Sequence, residues 1–364
     1  MSATLALGAP TTAAPKDPAR AKRPALLALL ALLLASAFLS VGLGAFSISP
    51  GQVLGILAHQ VGIDAFTSFE PRHENVLIGI RLPRALLAIV VGAGLALAGA
   101  ALQGLFRNPL ADPGLVGVSS GAALSAAATI VLGGGVIAAL PHAFGLFALP
   151  VAAFLGSLAT TFLIWRIARS GGRVQVATLL LAGIAINALS GSGTGLLTLV
   201  ASDPQLRSLT FWSMGSLNGA SWSLLLSVLP FVGVAAVGLP RLARSLNALL
   251  LGESEAGHLG VRIERVKRQV VILAALAVGA SVAVSGMIGF IGLVAPHLAR
   301  LLLGPDHRSL LPGSALLGGL LLSLSDLVAR TAIAPAEIPV GILTSLLGAP
   351  FFLWLLLRPA GARS

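Results

Sequence analysis

Long apolar stretches separated by short polar segments occupy most of this 364-residue chain. A helix that spans a bilayer needs about 20 consecutive apolar residues. On that criterion the sequence predicts ten spans, near residues 24–46, 82–106, 113–133, 147–166, 176–200, 222–240, 268–286, 288–304, 310–329 and 338–357. The pattern predicts an all-α polytopic membrane protein, with a transmembrane domain at 24–358 between a disordered cytoplasmic tail at 1–23 and a short tail at 359–364. Two connections between spans are longer than a simple turn. We predict short external helices in the connection 47–80, and a cytoplasmic loop at 241–267.

Charge is distributed unevenly over the loops that these spans define. Charged residues make up only 10% of the chain and its mean hydropathy is +0.98, which excludes an ordinary soluble domain. With the N-terminus inside, 18 of the 23 Lys and Arg residues fall on the cytoplasmic side, as the positive-inside rule requires. We therefore predict that both termini are cytoplasmic. The net charge of +11 is explained by basic residues in the cytoplasmic loops of a protein embedded in the lipid bilayer, so we expect no nucleic-acid partner. The basic residues left outside are Arg72, Arg81, Arg84, Arg207 and Arg330.

Two similar segments suggest an internal repeat. Residues 91–99 and 278–286 are identical at five of nine positions. The first lies in the second predicted span and the other in the seventh, so the two segments cross the bilayer in opposite directions. Inverted repeats of this kind are typical of transporters. A chance match between stretches rich in Ala and Gly is the alternative.

The sequence contains no motif that predicts an ATPase or metal site, and its one match to a serine-hydrolase motif falls inside a predicted span. No Walker A sequence is present, so ATP-driven transport would need an ATPase on another chain. The six histidines are scattered and there is no cysteine, so we expect neither a metal site nor a disulfide. Residues 117–121 match G-x-S-x-G, but they fall in a predicted span, which favours close helix packing over a serine nucleophile.

Few ionisable residues fall inside the predicted spans. Asp326 and Arg330 are four residues apart, so they can pair on one face of the ninth span near its outer end. Proton-coupled transporters usually carry carboxylates near the middle of the membrane, and no obvious candidate is present. An ion-coupled secondary transporter is therefore the weaker reading.

The fifth span and the segment after it carry polar features that suit a transport path. The G-x-x-x-G at 191–195 permits close approach of another helix, from this chain or from a second copy. A polar stripe on the same span includes Asn187, Ser190 and Thr194. The segment 201–222 is too polar to span, and its tryptophans predict an external interfacial helix.

The cytoplasmic loop 241–267 predicts two short helices. Leucines within 246–251 followed by Gly252 indicate an amphipathic helix with a glycine stop, and residues 253–258 begin a second helix that Gly260 closes. Such a pair offers a docking surface for another protein, although a helix lying on the membrane surface would have the same pattern.

Several long motifs resemble one transporter family. They are RLPR at 81–84, GLFRNPLADPGLVGVSSGA at 104–122, LNALLLGESEAGHLGV at 246–261, GFIGLVAPHLARLLLGPDHRSLLPGSAL at 289–316 and DLVARTAIAPAEIPVGILTSLLGAPFFLWLL at 326–356. With these motifs the chain resembles the permease subunits of type II ABC importers, which take up iron siderophores, heme and cobalamin. The resemblance covers nearly everything after residue 45. The segment 202–222 is most similar to that of the heme-transporting members.

This resemblance implies an assembly and a cargo. Two ten-span chains would form a homodimer in a bacterial inner membrane, joined to two copies of an ABC ATPase and to a periplasmic heme-binding protein. ATP would be used by the partner subunit, and heme would be the transported substrate, moved by alternating access. The chain itself would have no catalytic residue, metal ligand or permanent cofactor. Within the family, a ferric siderophore or cobalamin is the alternative cargo.

The resemblance also implies roles for particular residues. The external arginines that would receive glutamates of the binding protein are Arg81, Arg84 and Arg330. The residues that would contact the ATPase are Leu251, Gly252, Glu253, Glu255 and Gly260. The cytoplasmic gate would be formed by Asn108, Leu110, Gln175 and Val176. The translocation path would include Asn187, Ser190, Thr194 and Arg207, the last of which could attract heme propionates.

Overall fold

The structure is a computed structural model of the whole chain. Its description covers residues 22–44, 46–63, 68–135 and 142–357. The predicted tail at 1–23 lies outside the described residues apart from its last two positions, and the tail at 359–364 lies wholly outside them.

Helices account for nearly all of the described chain. The α-helices are α1 (Arg23–Gly42), α2 (Pro50–His59), α3 (Pro71–Val76), α4 (Leu82–Phe106), α5 (Val118–Leu132), α6 (His142–Ala168), α7 (Val176–Val200), α8 (Asp203–Ser213), α9 (Trp222–Arg241), α10 (Ala243–Leu250), α11 (Glu253–His258), α12 (Ile263–Ser285), α13 (Ile291–Leu303), α14 (His307–Thr331) and α15 (Val340–Leu357). A π-helical turn (Leu77–Arg81) joins α3 to α4, and a 3-10 turn (Pro113–Val116) precedes α5. A two-residue antiparallel ladder pairs β1 (Arg169–Ser170) with β2 (Arg173–Val174).

The helices of the described chain are compatible with the predicted number of spans. By length and composition, seven helical segments of the described chain can cross a membrane, and they fall in α1, α3–α4, α6, α7, α9, α12 and α14. Three shorter apolar helices, Val118–Leu132, Ile291–Leu303 and Val340–Leu355, coincide with the other three predicted spans. The structure is thus compatible with ten spans. The short helices predicted between the first two spans are α2 and α3, and the predicted external helix after the fifth span is α8.

Two predicted spans begin later than the apolar pattern suggests. The third opens with the 3-10 turn, and α5 begins only after Gly117, whose φ of 78° is left-handed. The eighth begins at Ile291, because Gly286 at φ 67° and Phe290 at φ 66° turn the chain sharply after α12. Hydrophobicity continues through both turns, so periodicity alone could not locate these breaks.

Helix α4 lies at the centre of the bundle, packed against α9, α12, α13 and α14. Its glycines permit this close approach. A methyl group added at Gly92 would lie 2.2 Å from the carbonyl oxygen of Gly318 on α14. One added at Gly99 would lie 1.8 Å from that of Gly292 on α13. Lipid tails are as apolar as the helices, so the hydrophobic effect does not drive the helices together in a membrane. Small residues let the helix backbones approach closely, and this packing stabilises the bundle instead.

The segments that suggested a repeat both lie in the buried centre. Residues 91–99 belong to α4 and 278–286 to the end of α12, and the two helices pack against each other. The G-x-S-x-G segment also packs tightly, since a methyl group at Gly121 would lie 2.4 Å from the carbonyl oxygen of Gly156 on α6. Its glycines therefore bring α5 against α6, as predicted.

Candidate functional site

A cluster of opposite charges lies at the end of the bundle that the sequence predicts to be external. Arg84 on α4 donates from Nε and Nη2 to Asp326 Oδ1 on α14, at 3.0 and 2.9 Å. Its Nη1 and Nη2 also donate to Glu337 in the α14–α15 connection, at 3.1 and 3.0 Å. The Asp326 side chain is 1% exposed, whereas that of Glu337 is 32% exposed. One arginine thus joins α4, α14 and the segment that leads into α15.

Arg81 and Arg330 bind backbone carbonyl oxygens at the C-terminal end of α1. Arg81 donates from Nη1 to the carbonyl oxygens of Val41 and Gly42, at 3.1 and 2.7 Å. Arg330 donates from Nη1 to the carbonyl oxygen of Leu43 at 2.6 Å. These carbonyls have no partner further along α1 because the helix ends there. Both guanidinium groups also donate to further backbone oxygens, Arg81 to Phe46 and Arg330 to Ser40.

The predicted pairing of Asp326 with Arg330 is present, with 3.6 Å between Asp326 Oδ2 and Arg330 Nε. The structure therefore gathers all three predicted docking arginines at one end of the molecule. Besides this pair, it gives each of them internal partners that the sequence did not indicate. A partner's carboxylates would have to compete with these contacts to bind the guanidinium groups.

The loop at 241–267, predicted to be cytoplasmic, folds into the two predicted helices, α10 and α11. Gly252 lies between them at φ 121°, and Gly260 follows α11 at φ 80°. Leu251, Glu253, Glu255 and Gly260 are exposed. On the inner side, Leu246, Leu249 and Ala256 are fully buried. One face of this pair therefore packs on the bundle while the other carries the predicted ATPase-contact residues.

Helix α10 is fastened to the α13–α14 turn. Asn247 Nδ2 donates to Asp306 Oδ1 at 2.7 Å, and the His307 backbone N–H donates to Asn247 Oδ1 at 2.9 Å. Desolvation would raise the pKa of Asp306, but hydrogen bonds from Arg308 N–H and Asn247 together with the charges of Arg308 and Lys22 outweigh it and lower that pKa. The carboxylate thus stays ionised as the N-cap of α14.

A buried lysine fastens α11 to the β1–β2 hairpin. Lys267 on α12 donates from Nζ to Glu253 Oε2 and to the Val174 carbonyl oxygen, both at 2.8 Å, and to Glu264 Oε1 at 3.2 Å. Sequence reasoning missed this residue because Arg265 and Arg268 flank it in the same basic run. The one available signal is its place on the face of α12 that also carries the buried Val270 and Val271.

The predicted gate residues follow two structural elements, helix α4 and strand β2. Asn108 Oδ1 accepts the Leu110 N–H at 2.9 Å, which forms a tight turn after α4. Gln175 is the N-cap of α7 and follows β2, and Val176 is the first residue of that helix. The described residues form no hydrogen bond between these two pairs, so their role as a gate stays a prediction.

The polar residues of α7 are mostly engaged within the chain. Asn187 donates from Nδ2 to the Gly114 carbonyl oxygen at 3.1 Å, and its Oδ1 accepts from Ser120 Oγ at 2.6 Å. Ser190 is buried, and Thr194 Oγ1 donates to its carbonyl oxygen at 2.9 Å. Arg207 on α8 is exposed and has no hydrogen bond or ion pair with another described residue. Of the four predicted path residues, Arg207 is therefore the one free to meet a ligand.

The G-x-x-x-G of α7 is not used for packing within the described part of the chain. A methyl group at Gly191 or Gly195 would meet no described atom within 4 Å. Large apolar side chains on the same helix are also exposed, namely Leu181, Ile184, Leu189, Leu196 and Leu199. This face of α7 is therefore free to contact lipid or another chain.

The bundle of long apolar α-helices with small-residue packing at its centre is that of a multi-pass membrane protein. The model of the FecCD transport family matches residues 32–358, and the chain belongs to that family. It is an ABC importer permease, a subunit class without an ATPase site of its own that works with ATPase and binding-protein partners in bacterial inner membranes.

Known relatives in this family handle different cargoes. The hemin transport system permease of Yersinia pestis is 49% identical over 337 residues, which cover 92% of this chain and 96% of that protein. The cobalamin import permease of Halobacterium salinarum is 47% identical over 287 residues, 79% of this chain and 74% of that one. A solved metal-chelate type ABC transporter in an inward-facing conformation has a TM-score of 0.79 at 35% identity, covering 92% of this chain and 99% of that one. The type II importer permease fold is therefore confirmed.

Proposed function

We propose that this permease moves heme from the periplasm to the cytoplasm. The observation that carries the proposal is the 49% identity to a hemin transport permease along 92% of the chain. Exposed Arg207 on the external helix α8 supports it, because heme brings two propionates and a guanidinium is well suited to carboxylate contacts. Transport by alternating access needs no covalent chemistry in this chain.

The working unit is a homodimer with two ATPase subunits. Exposed glycines and large apolar residues on α7 support a contact with a second copy, since G-x-x-x-G faces favour close helix approach. Helix α15 adds exposed Leu346, Leu347 and Leu353. Substrate passes between the two chains, along a path that includes Asn187, Ser190, Thr194 and Arg207, and both termini are cytoplasmic.

A periplasmic heme-binding protein docks at the outer arginine cluster. Glu337 already pairs with Arg84 and is the more exposed of its two carboxylate partners. Carboxylates of the binding protein can replace Glu337 at Arg84, and an exchange of one ion pair for another leaves no buried charge unpaired. Arg81 and Arg330 take part as neighbours in the same cluster. Such an exchange also frees the connection that leads into α15.

The ATPase subunits bind the exposed side of α10 and α11, through Leu251, Gly252, Glu253, Glu255 and Gly260. The buried leucines on the opposite side carry any displacement of this pair into the bundle. Asn108, Leu110, Gln175 and Val176 close the cytoplasmic end of the path in one state and open it in the other. The family relationship leaves no reason to retain an ion-coupled secondary transporter.

The test is reconstitution in liposomes of the chain with its ATPase, binding protein and MgATP. Heme, a ferric siderophore and cobalamin are offered in parallel, each with and without ATP. We expect ATP-dependent uptake of heme and none by the chain alone. Uptake of cobalamin or a siderophore in place of heme would assign the cargo seen in other relatives. Solute accumulation without the ATPase would contradict the importer mechanism itself.

A further inference from the structure

Lys267 connects three separate segments on the cytoplasmic side. It belongs to α12, and its Nζ donates to Glu253 on α11, to the Val174 carbonyl oxygen on β2 and to Glu264 one turn earlier on α12. An ammonium group has three donors, so these acceptors satisfy it completely. The side chain is only 4% exposed, which leaves little solvent screening at this position.

Val174 is held at both of its backbone polar groups. Its carbonyl oxygen accepts from Lys267 at 2.8 Å, and its N–H donates to Glu264 Oε2 at 2.8 Å. The next residue, Gln175, is the N-cap of α7. The β1–β2 pairing fixes Val174 opposite Arg169, at the end of α6. A displacement of Val174 therefore moves the start of α7 and the end of α6 together.

Glu253 is the contribution of α11 to this cluster. It is the first residue of that helix, and its carboxylate remains 45% exposed on the cytoplasmic surface. It therefore lies between the surface on which the ATPase acts and the buried ammonium group. The neighbouring basic residues Arg265 and Arg268 are exposed and do not take part in this cluster.

We propose that Lys267 is a positioning residue that transmits movement of α11 to the start of α7. The inference rests on the proposed function, because it takes α11 as the ATPase contact and Gln175 and Val176 as part of the gate. When the ATPase displaces α11, Glu253 pulls the ammonium group of Lys267, and Lys267 pulls the β2 carbonyl that precedes the gate. Charge-assisted hydrogen bonds suit this task because they are short and strong.

The absence of cysteine from the native sequence permits a direct measurement. Ser170 is exposed on β1, so a spin label on Ser170→Cys reports the position of the hairpin. In the assembled complex with its ATPase, the distance between the labels of the two copies is measured with and without ATP and vanadate. Co-purification of the ATPase and its rate of ATP hydrolysis are recorded for every variant.

The variants cut the connection at two places. Glu253→Ala removes the carboxylate through which α11 binds Lys267. Lys267→Met removes the ammonium group but keeps the approximate length of the side chain. Arg268→Met is the matched control, because it removes one exposed charge from the same helix. Ser254→Ala is the control on α11, where the side chain is exposed.

We expect the wild-type labels to change distance with nucleotide, and both controls to do the same. Glu253→Ala removes one charge-assisted hydrogen bond, which shifts a two-state equilibrium by about tenfold, and Lys267→Met removes three. In both variants most complexes should therefore keep the nucleotide-free distance. Lys267→Met should still co-purify with its ATPase subunits and hydrolyse ATP, because Lys267 is buried beneath the contact surface. The full distance change in Lys267→Met, or in a Glu253→Ala complex that retains its ATPase, would overturn the proposal. If the wild-type chain bound no ATPase at all, the proposed function would fail instead.

Discussion

Replacement of Asp326 by Asn isolates the contribution of one buried charge to the outer cluster. Asp326 is fully buried on α14, between Arg84 and Arg330. With Arg81 beside them, the cluster contains three arginines and two carboxylates, Asp326 and Glu337, so its formal charge is +3 − 2 = +1. The substitution keeps the size of the side chain and raises this charge to +2.

The expected loss of stability follows from burial. Removal of one partner from a buried ion pair typically costs about 3–5 kcal/mol, because the remaining charge is left uncompensated away from water. Here Arg84 would retain Glu337 and Arg330 would retain its backbone acceptors, so we expect the lower half of that range. The control is Glu337→Gln, whose carboxylate is 32% exposed. A partly exposed pair contributes about 0–1 kcal/mol, so this change should be mild.

The assay is reversible denaturant unfolding of the purified chain in mixed micelles, followed by tryptophan fluorescence. Asp326→Asn should lower the unfolding free energy clearly more than Glu337→Gln. Equal effects of the two substitutions, or a greater effect of Glu337→Gln, would show that burial does not set the strength of this cluster. A stability of Asp326→Asn equal to that of the wild-type chain would refute the whole argument.

Three further predictions address packing, cargo and coupling. Gly99→Ala should destabilise the chain by about 1–3 kcal/mol or more, since its methyl group would lie 1.8 Å from the Gly292 carbonyl oxygen. Gly233→Ala is the control in the same unfolding assay, and it should be neutral because no described atom lies within 4 Å of the added methyl group. Arg207→Glu should raise the KM for heme uptake by up to about fivefold, the worth of an exposed charge contact, and an unchanged KM would remove this residue from the path. Deletion of residues 252–260 should abolish co-purification of the ATPase while the chain still inserts, and a complex that survives would place the main contact elsewhere.

Much of the fold could be predicted because its signals are local. Gly252 and Gly260 at positive φ delimit α11 where the sequence placed its ends. The spans followed from apolar length, and α7 begins and ends at the predicted residues, 176 and 200. Errors occurred where an apolar stretch contains a turn, as at Gly117 and Phe290. There hydrophobicity is the same on both sides of the break.

Contacts between distant residues could not be predicted in the same way. The pairing of Asp326 with Arg330 was predictable because helix geometry places residues four apart on one face. The pairing of Arg84 with Asp326 joins residues 242 positions apart, and Lys267 reaches Val174 across 93 positions. Nothing near Arg84 in the sequence identifies Asp326 as its partner, and Lys267 differs from its basic neighbours only by its place on the face of α12 that carries Val270 and Val271.

The sequence by itself determined that this chain is embedded in a bilayer, where its spans lie and which family its motifs resemble. These features could be predicted because apolar length, glycine stops and charge bias are each visible within a short stretch of sequence. Only the tertiary structure decided which charges are buried and which partner each one has. Burial in a membrane protein depends on which helix covers a given face, and that is fixed by packing of the whole bundle. The sequence could single out the three arginines by their place in the predicted topology, but only the fold shows that they and Lys267 connect separate helices.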